Sequence, residues 1–514
     1  MEEKVVPMSL GQRQRISPWV FWPPVAALLI LLVYSLVDEK AFYSSVSGAM
    51  GWISTNFGSF FLLSMFSFVV FLVGLALSRF GNIRFGGDDA QPDFSYWNWF
   101  AMSLCAGIAT GILFWGIAEP IYHVAGPPSS LGLEPNSRGA ALFSISTCFL
   151  HYTVIPYAAY LICAVPIALA YYNHHRNFTV SSGLYFLLGD RCDGGLGKAI
   201  NCLCLFAIAG GLAASLGGGV LQISQGLNVI FGIAPSKFIW LIVSMSIVFA
   251  YTLSSYTGLQ KGIRILSDNN AKAYALILLL VILLGPTRFI FNLGVESLGI
   301  FLDNFCSKAL FSAAVSDDQW PSWWTIFYWA FWAAYAPLVG LFLSRLAKGR
   351  TLREFIFMNM LAPSMFSIVW FCGFGGTAID IQINQGIDLL AQMKAQGMEV
   401  AVFNIFENFP LGTFLMGLFM VCVVISFITI ADSMTSCMAA MSTRGITVDD
   451  DSEAPARLKI IWGIIIGFFA YVMIAAAGSD GIKTVVVLSG FPILFIMISM
   501  IASTLKGVIQ SSQS

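Results

Sequence analysis

Two apolar stretches of this sequence decide how it is interpreted. Residues 107–115 read GIATGILFW, and residues 328–340 read YWAFWAAYAPLVG. Each stretch lies in a long apolar run, yet each carries helix-weakening residues in mid-run with aromatic residues beside them. A bilayer tolerates an interrupted helix only where the freed backbone groups line a protected cavity. Two such segments in corresponding positions of two halves are typical of a secondary transporter with a binding site at the membrane midplane.

The composition supports a location in lipid. The chain has 514 residues, of which 58% are hydrophobic and 10% are charged, whereas soluble domains carry about 25% charged residues. A spanning helix needs about 20 apolar residues. We therefore predict an all-α integral membrane protein with twelve spans, near residues 18–36, 52–78, 96–124, 140–171, 197–231, 236–255, 266–291, 320–346, 354–379, 411–442, 458–477 and 482–506.

The distribution of basic residues predicts the orientation. The predicted spans assign each of the 26 Lys and Arg residues to one side of the membrane. The side that carries both termini has 19 of them, and the other side has 7. Cytoplasmic loops are enriched in Lys and Arg. We expect a multi-pass membrane protein with both termini in the cytoplasm. The net charge of −1 gives no indication of a nucleic-acid partner.

The two interrupted segments divide the chain into two blocks of five spans, spans 3–7 and spans 8–12. An odd number of spans in each block forces opposite topology, so the blocks form an inverted repeat preceded by two extra helices. The predicted organisation is a cytoplasmic tail (1–17), two peripheral helices (18–94), a first repeat (95–291), an extracytoplasmic amphipathic helix (292–319), a second repeat (320–506) and a short cytoplasmic tail (507–514).

Aromatic residues beside the interruptions suggest the chemistry of the solute. A quaternary ammonium group donates no conventional hydrogen bond, and proteins bind it through the negative faces of aromatic rings. In the fourth span, Pro156 bends the helix next to Tyr157 and Tyr160, which share a face. The other candidates are Trp115, Tyr122, Trp329, Phe331, Trp332 and Tyr335. The alternative for any one of these rings is a role as an interfacial anchor or in packing.

Ionisable residues within spans are the other functional candidates. The sequence leaves open whether Glu119 and Asp432 contact a solute or pair across helices. His123 and His151 are predicted to be hydrogen-bonded packing residues, with a proton relay as the alternative for His151. The spans contain neither metal-ligand spacing nor a pairing of nucleophile and base, so we predict no metal, no cofactor and no enzymatic activity.

Several strings carry a resemblance to a known family. They are FWGIAEP (114–120), GLEPNS (132–137), GLQKGIR (258–264), WTIFYWA (324–330), RTLRE (350–354) and ADS (431–433). In these strings the chain resembles the betaine/choline/carnitine transporter (BCCT) family, and within it is most similar to the carnitine/γ-butyrobetaine antiporter. The resemblance runs along nearly the whole chain. It implies a LeuT-type fold, alternating access, and a homotrimer that contacts through the amphipathic helix.

The resemblance also implies roles for individual residues. The family's aromatic box carries over to Tyr152, Tyr157, Tyr160 and Trp332, with Phe331 and Tyr335 adjoining. Tyr122 and Trp329 are further substrate-binding candidates from their positions in the third and eighth spans. The family usually has Trp where this chain has Tyr152 and Tyr157. A tyrosine ring weakens the cation–π contact but adds a hydroxyl donor. An unwound stretch at Gly107, Ala109 and Gly111 would orient the solute.

Two positions predict whether transport is coupled to sodium: one differs from the sodium-coupled relatives, and the other matches the carnitine antiporter. Sodium-coupled relatives use a Thr-Ser hydroxyl pair on the tenth span, whereas this chain has Thr429 followed by Ile430. Arg264 matches the arginine that replaces sodium in the carnitine antiporter, because a fixed guanidinium supplies the missing positive charge. We therefore predict sodium-independent exchange of trimethylammonium solutes such as carnitine, γ-butyrobetaine or betaine. The alternative is a sodium- or proton-coupled betaine or choline symporter.

Overall fold

The computed structural model describes residues 16–108, 111–257, 260–447 and 454–512, without the side chains of residues 105–108, 254–257, 260–264 and 476–487. These residues form helices and connecting segments, and the β-type pairing among them consists of two isolated bridges. The prediction of an all-helical protein is confirmed for the described part of the chain.

Ten α-helices lie in the described residues up to Leu284. They are α1 (Pro18–Val37), α2 (Glu39–Leu77), α3 (Tyr96–Ile108), α4 (Gly111–Ala125), α5 (Arg138–Tyr152), α6 (Val154–Ala168), α7 (Tyr185–Leu188), α8 (Gly195–Phe231), α9 (Lys237–Thr257) and α10 (Gln260–Leu284). A π-helical turn, Leu169–Asn173, follows α6.

Ten more α-helices lie in the described residues from Thr287 onward. They are α11 (Thr287–Asp303), α12 (Phe305–Ala309), α13 (Trp320–Trp323), α14 (Thr325–Arg345), α15 (Leu352–Trp370), α16 (Gly376–Ile383), α17 (Leu389–Gln396), α18 (Ala401–Glu407), α19 (Gly412–Met441) and α20 (Ala456–Ser511). A π-helical turn, Phe371–Gly375, joins α15 to α16.

Membrane-spanning capacity agrees with a multi-pass protein. Ten helical segments in the described part of the chain are long and apolar enough to cross a bilayer, and two of them, Ala456–Ala475 and Leu488–Ser511, lie within α20. The third predicted span is divided into α3 and α4, and the sixth corresponds to Lys237–Leu253, which has a shorter apolar length. The count of twelve spans and the inverted repeat stay predictions.

One interruption lies elsewhere than expected. The stretch 328–340 was expected to be a broken helix, but α14 continues from Thr325 to Arg345 with Pro337 inside it. A proline in a helix interior removes one backbone donor and crowds the preceding turn. Here the turn that its ring meets carries the small residues Ala333 and Ala334, and neighbouring helices bury the region around them. The break instead precedes α14, at Trp324 (φ −119°, ψ −77°).

The outer segment between the halves is amphipathic over a shorter range than predicted. Helix α11 buries Ile290, Leu293, Ser297 and Phe301, a spacing that places them on one helical face. The helical structure ends with α12 at Ala309, so residues 310–319, which the prediction included, are not helical. Ala313 has φ +53°, which no right-handed helix allows, and residues 316–319, directly before Trp320, are all polar.

Helix α14 packs very closely against its neighbours. A Cβ atom built on Gly340 would lie 2.5 Å from the Cβ of Cys163 in α6, and one built on Gly490 would lie 2.0 Å from the carbonyl oxygen of Ala330. By contrast, a Cβ on Gly417 of α19 would have no heavy atom within 4 Å. Contacts this close fix α14 between α6 and α20, and the candidate site lies on α6 and α14.

A loop contact fixes the entry to α13. The Asp318 carboxylate accepts hydrogen bonds from the Ser130 backbone N–H (2.9 Å), the Ser130 hydroxyl (2.8 Å) and the Trp320 backbone N–H (3.0 Å). Burial alone would raise the pKa of Asp318, but these hydrogen bonds to the ionised form outweigh it and hold the pKa below its usual range. The carboxylate therefore connects two outer loops while it is ionised.

Candidate functional site

The site begins at a break between α5 and α6. Thr153 separates the two helices with φ −117° and ψ −125°, and Pro156 has no backbone N–H to continue the ladder to Tyr152. The break leaves the carbonyl oxygen of His151 available to a side chain. The indole Nε1 of Trp332 in α14 donates to that oxygen at 3.0 Å. The interrupted helix therefore holds Trp332 in one orientation.

Three aromatic rings converge at this point. The Trp332 ring centroid lies 5.6 Å from that of Tyr152 and 6.2 Å from that of Tyr160, with the ring planes nearly perpendicular at 81° and 86°. Tyr157 lies beside Tyr160 at 6.1 Å. All four side chains are at most 6% exposed. We call Tyr152, Tyr157, Tyr160 and Trp332 the cage.

The beginning of α4 borders the cage. A Cβ atom on Gly111 would lie 3.8 Å from Cη2 of Trp332 and 3.9 Å from Cε1 of Tyr152. The glycine therefore keeps the start of this helix close to two rings without filling the space between them. Two other residues were predicted to orient the solute. Ala109 lies outside the described residues, and Gly107 is described by its backbone alone.

Two of the predicted aromatic residues adjoin the cage. The ring of Phe331 lies 5.1 Å from that of Trp332 and 5.0 Å from that of Tyr335. The Tyr335 hydroxyl is hydrogen-bonded to the Ser215 hydroxyl and to the Gly211 carbonyl in α8. These contacts connect the cage helix α14 to α8.

Two other predicted residues lie apart from the cage. Trp329, about one turn before Trp332 on α14, has its ring 5.7 Å from the imidazole of His151. Tyr122, three turns along α4 from Gly111, has its ring 5.8 Å from that of Trp324. Their spacing in the sequence made them candidates, but the helices present them toward packing partners.

The structure adds two residues that sequence reasoning missed. The ring of Phe371, in the π-helical turn, lies 4.8 Å from the ring of Tyr152. Tyr328 accepts a hydrogen bond from the Tyr152 hydroxyl at 2.8 Å. The one available signal was that Tyr328 precedes Trp332 by four residues on α14, which places both on one face. Nothing in the sequence indicated Phe371.

A fully buried polar cluster lies next to the cage. The Glu119 carboxylate is within 3.1 Å of the His123 Nε2 and 2.6 Å of the His151 Nδ1, both at Oε1, and accepts from the Tyr328 hydroxyl at 2.6 Å at Oε2. The His151 Nε2 lies 3.0 Å from the Thr325 hydroxyl. We call Glu119, His123, His151, Thr325 and Tyr328 the Glu119 cluster. Side chains from α4, α5 and α14 therefore meet in one hydrogen-bonded network.

The distances within the Glu119 cluster fit hydrogen bonds better than a metal site. Its carboxylate and imidazole atoms lie within 4.8 Å of one another, a separation that by itself would also suit a divalent ion. Two ligands of one zinc ion, each about 2.0–2.1 Å from the metal, lie more than about 3 Å apart. The separation of 2.6 Å between Glu119 and His151 is shorter and matches a charge-assisted hydrogen bond. We assign the group as a hydrogen-bonded network.

The residues predicted for coupling are only partly described. The Thr429 hydroxyl donates to the Ile425 carbonyl of its own helix at 2.7 Å, and the apolar side chain of Ile430 is buried beside it. The side chain of Arg264 lies outside the described residues. The described part of the tenth span therefore offers one hydroxyl at this position, engaged within its own helix.

Comparison with protein families identifies the class. Residues 19–513 match the model of the BCCT, betaine/carnitine/choline family transporter. The chain belongs to this family. A probable glycine betaine transporter of Desulfitobacterium hafniense is 33% identical over 506 residues, which cover 98% of this chain and 99% of that protein. The glycine betaine transporter OpuD of Bacillus subtilis is 32% identical, over 94% of this chain and 93% of the relative.

A further BCCT relative has a different solute in its name. The osmo-dependent choline transporter BetT2 of Acinetobacter baylyi is 28% identical over 96% of this chain and 72% of its own length. The prediction of the family is confirmed. This BCCT chain is a multi-pass membrane transporter, in agreement with its apolar helices.

Proposed function

We propose that this protein carries a trimethylammonium solute, such as glycine betaine, carnitine or γ-butyrobetaine, and exchanges one such solute for another by alternating access without sodium. The observation that carries the proposal is the cage, in which Tyr152, Tyr160 and Trp332 converge in nearly perpendicular planes. Exchange follows if the loaded carrier changes conformation more readily than the empty one.

The cage suits an ammonium group for electrostatic reasons. A methylated ammonium is weakly hydrated, and each aromatic face contributes about 0.5–2 kcal/mol, with the larger value when the contact is desolvated. The rings are at most 6% exposed, so the larger value applies here. The Trp332 indole and the Tyr152 hydroxyl both have hydrogen-bond partners, which keep the two rings oriented before the solute binds.

The start of α4 suits the other end of a zwitterion. The first N–H groups of a helix have no partner within the helix, and they favour an anion. Because Gly111 borders both Trp332 and Tyr152, a carboxylate two or more bonds from the ammonium would reach these groups. This favours a betaine-like solute over choline. The names of the two glycine betaine relatives point the same way.

The proposal of sodium independence is based on the hydroxyl groups of the tenth span. Thr429 donates to its own helix and Ile430 supplies no hydroxyl, while Arg264 would replace the ion's charge. Proton-coupled uptake is the second candidate, favoured by the buried Glu119 cluster. We also propose the LeuT-type inverted repeat, a homotrimer contacting through α11, and cytoplasmic termini in a bacterial inner membrane.

Uptake into proteoliposomes tests this function. Labelled glycine betaine and labelled carnitine are offered to vesicles preloaded with unlabelled solute and to empty vesicles, each with and without a sodium gradient. Uptake that needs preloading and ignores sodium is expected. Uptake into empty vesicles that follows the sodium gradient contradicts the proposal, and uptake into empty vesicles that follows an imposed pH gradient favours the second candidate.

A further inference from the structure

The ionisable groups of the Glu119 cluster do not contact the solute in the proposed function. Glu119, His123 and His151 are fully buried. Burying a carboxylate and two imidazoles is unfavourable unless they are paired and hydrogen-bonded. A group of this kind within a membrane transporter is a functional candidate by default, and its hydrogen bonds allow the protons to be located.

The contacts of Glu119 show that it is the acceptor. One carboxylate oxygen faces two imidazole nitrogens and the other faces the Tyr328 hydroxyl. An ionised carboxylate only accepts, and it satisfies all three of these donors at once. His123 therefore presents Nε2–H and His151 presents Nδ1–H to Glu119. Both of these protons are present whether the rings are neutral or charged.

The second nitrogen of each ring distinguishes the two histidines. His151 Nε2 lies 3.0 Å from the Thr325 hydroxyl, which can donate to a neutral ring or, after rotating, accept from a protonated ring. His123 Nδ1 has no hydrogen-bond partner among the described residues. A proton there would leave a buried N–H unpaired, which costs about 1–3 kcal/mol. His151 can therefore gain and lose a proton while keeping its hydrogen bonds, whereas His123 cannot.

A proton on His151 changes the net charge of its pair with Glu119. With His151 neutral, Glu119 is a buried negative charge; with His151 protonated, the pair is neutral. The titratable groups facing the pair from neighbouring elements are His123, Cys148, Tyr152, Tyr328 and Lys308. Asp380 of α16, which packs on α4, accepts instead from Asn384 and Gln385.

A buried lysine, Lys308, also lies near the cluster. Its ammonium donates to Thr147 at 3.0 Å and lies 4.4 Å from the ring centre of Phe143. Burial lowers the pKa of Lys308 to about 8, so below pH 7.5 it stays mostly charged. Titrations below pH 7.5 therefore contain little contribution from Lys308.

The cluster is joined to the cage by direct hydrogen bonds. The Tyr152 hydroxyl donates to Tyr328, whose hydroxyl donates to Glu119. The backbone carbonyl of His151 holds the indole of Trp332. The same residue that can bind the proton thus orients one cage ring, and the carboxylate that it faces is linked to another.

We propose that His151 binds an exchangeable proton and that this proton competes with the ammonium group of a solute in the cage. Either positive charge compensates Glu119, and the two repel each other when both are present. Solute binding therefore releases the proton, and the affinity for solute rises with pH. The inference rests on the proposed function for the identity of the solute, but the proton site itself does not depend on it.

Calorimetric titration with glycine betaine tests the linkage in the purified full-length protein. Titrations from pH 5.5 to 7.5, in buffers of different ionisation enthalpy, give both Kd and the number of protons released. With one linked proton, affinity is expected to rise by at most about tenfold per pH unit, with up to one proton released. His151→Gln is expected to bind solute with a flat pH profile and no proton release, while the matched variant His123→Gln keeps the pH dependence.

Nitrogen-15 histidine spectra test the proton site without solute. The chain has only 4 histidines, so the resonance lost in His151→Gln assigns His151. Its signal is expected to be that of a protonated imidazole in the solute-free protein, and glycine betaine should shift it toward the neutral form. A His151 signal that stays that of the neutral ring at every pH tested overturns the proton site. Tighter solute binding at lower pH, or an unchanged pH profile in His151→Gln, overturns the competition.

The two proposals fail in different ways. If glycine betaine and carnitine do not bind at any pH, the proposed function is wrong, and the spectra of the solute-free protein still decide whether His151 carries the proton. If they bind with the same affinity at all pH values and release no proton, the proposed function stands and the inference is wrong.

Discussion

Replacing Trp332 tests the cage quantitatively. In Trp332→Leu, one aromatic face is lost from a buried cage that Tyr152 and Tyr160 also line. A desolvated cation–π contact is worth about 2 kcal/mol, which corresponds to a rise in Kd of about 30-fold. Trp332→Phe keeps a weaker face but loses the N–H donated to His151, so its Kd should rise by less than about tenfold. The order of affinities is therefore wild type, Phe variant, Leu variant.

An isostere with an uncharged carbon in place of the ammonium nitrogen separates charge from shape in this experiment. In 3,3-dimethylbutanoate a carbon replaces the ammonium nitrogen of glycine betaine, so the two molecules have nearly the same volume. If the cage recognises charge, Trp332→Leu weakens binding of glycine betaine much more than binding of the isostere. Equal losses for both ligands would show that Trp332 acts by shape alone, and the cation–π argument would be refuted.

The assay is equilibrium binding to purified protein, with thermal unfolding as a check on folding. Trp19→Leu is the matched control, because Trp19 lies on α1 with 72% of its side chain exposed. This control removes a membrane tryptophan and should leave both affinities unchanged. Loss of binding in the control would mean that the assay reports general damage.

Four further predictions follow from specific contacts. Gly111→Ala should bind solute within a few-fold of wild type, whereas Gly111→Leu should lose binding without unfolding, because the longer side chain enters the space between two cage rings. Thr429→Ala should leave sodium-independent uptake intact, since the hydroxyl bonds within its own helix; sodium stimulation of the wild type would contradict this. Gly340→Ala should be destabilised by about 1–3 kcal/mol through overpacking and unfold at a lower temperature, while Gly417→Ala should not. The Asp318 contact should stabilise the outer loops above about pH 4 and weaken as pH falls through its lowered pKa, and Asp318→Asn should remove this dependence in amide exchange.

Local chemistry explains why much of the fold could be predicted. The low charge and the long apolar runs require a membrane environment whatever the packing, and the motifs around residues 114–120 and 324–330 identify the family. The aromatic residues of the fourth and eighth spans could be named because ammonium recognition needs such rings. Tyr152, Tyr160 and Trp332 do meet in the structure, with ring centroids 5.6 and 6.2 Å apart.

The exact position of helix breaks could not be predicted, because it depends on neighbours. Pro337 carries a strong local signal, yet α14 stays helical because small residues and the adjoining helices accommodate the ring. Thr153 carries a weaker signal, yet the chain breaks there and Trp332 bonds the freed carbonyl. The helix propensity of a single residue contributes little free energy, so the packing between helices decides at which residue a helix breaks.

The sequence by itself determined a family, a bilayer environment and a set of rings suited to an ammonium ion. Only the tertiary structure decided that Glu119, His123 and His151 form one hydrogen-bonded network, that Tyr328 joins them to Tyr152, and that the Trp329 ring packs on His151. Composition and helical spacing depend on residues that are close together in the chain, so they can be recognised in the sequence. Hydrogen bonds between side chains on different helices exist only once packing has brought those helices together, so no linear pattern records them.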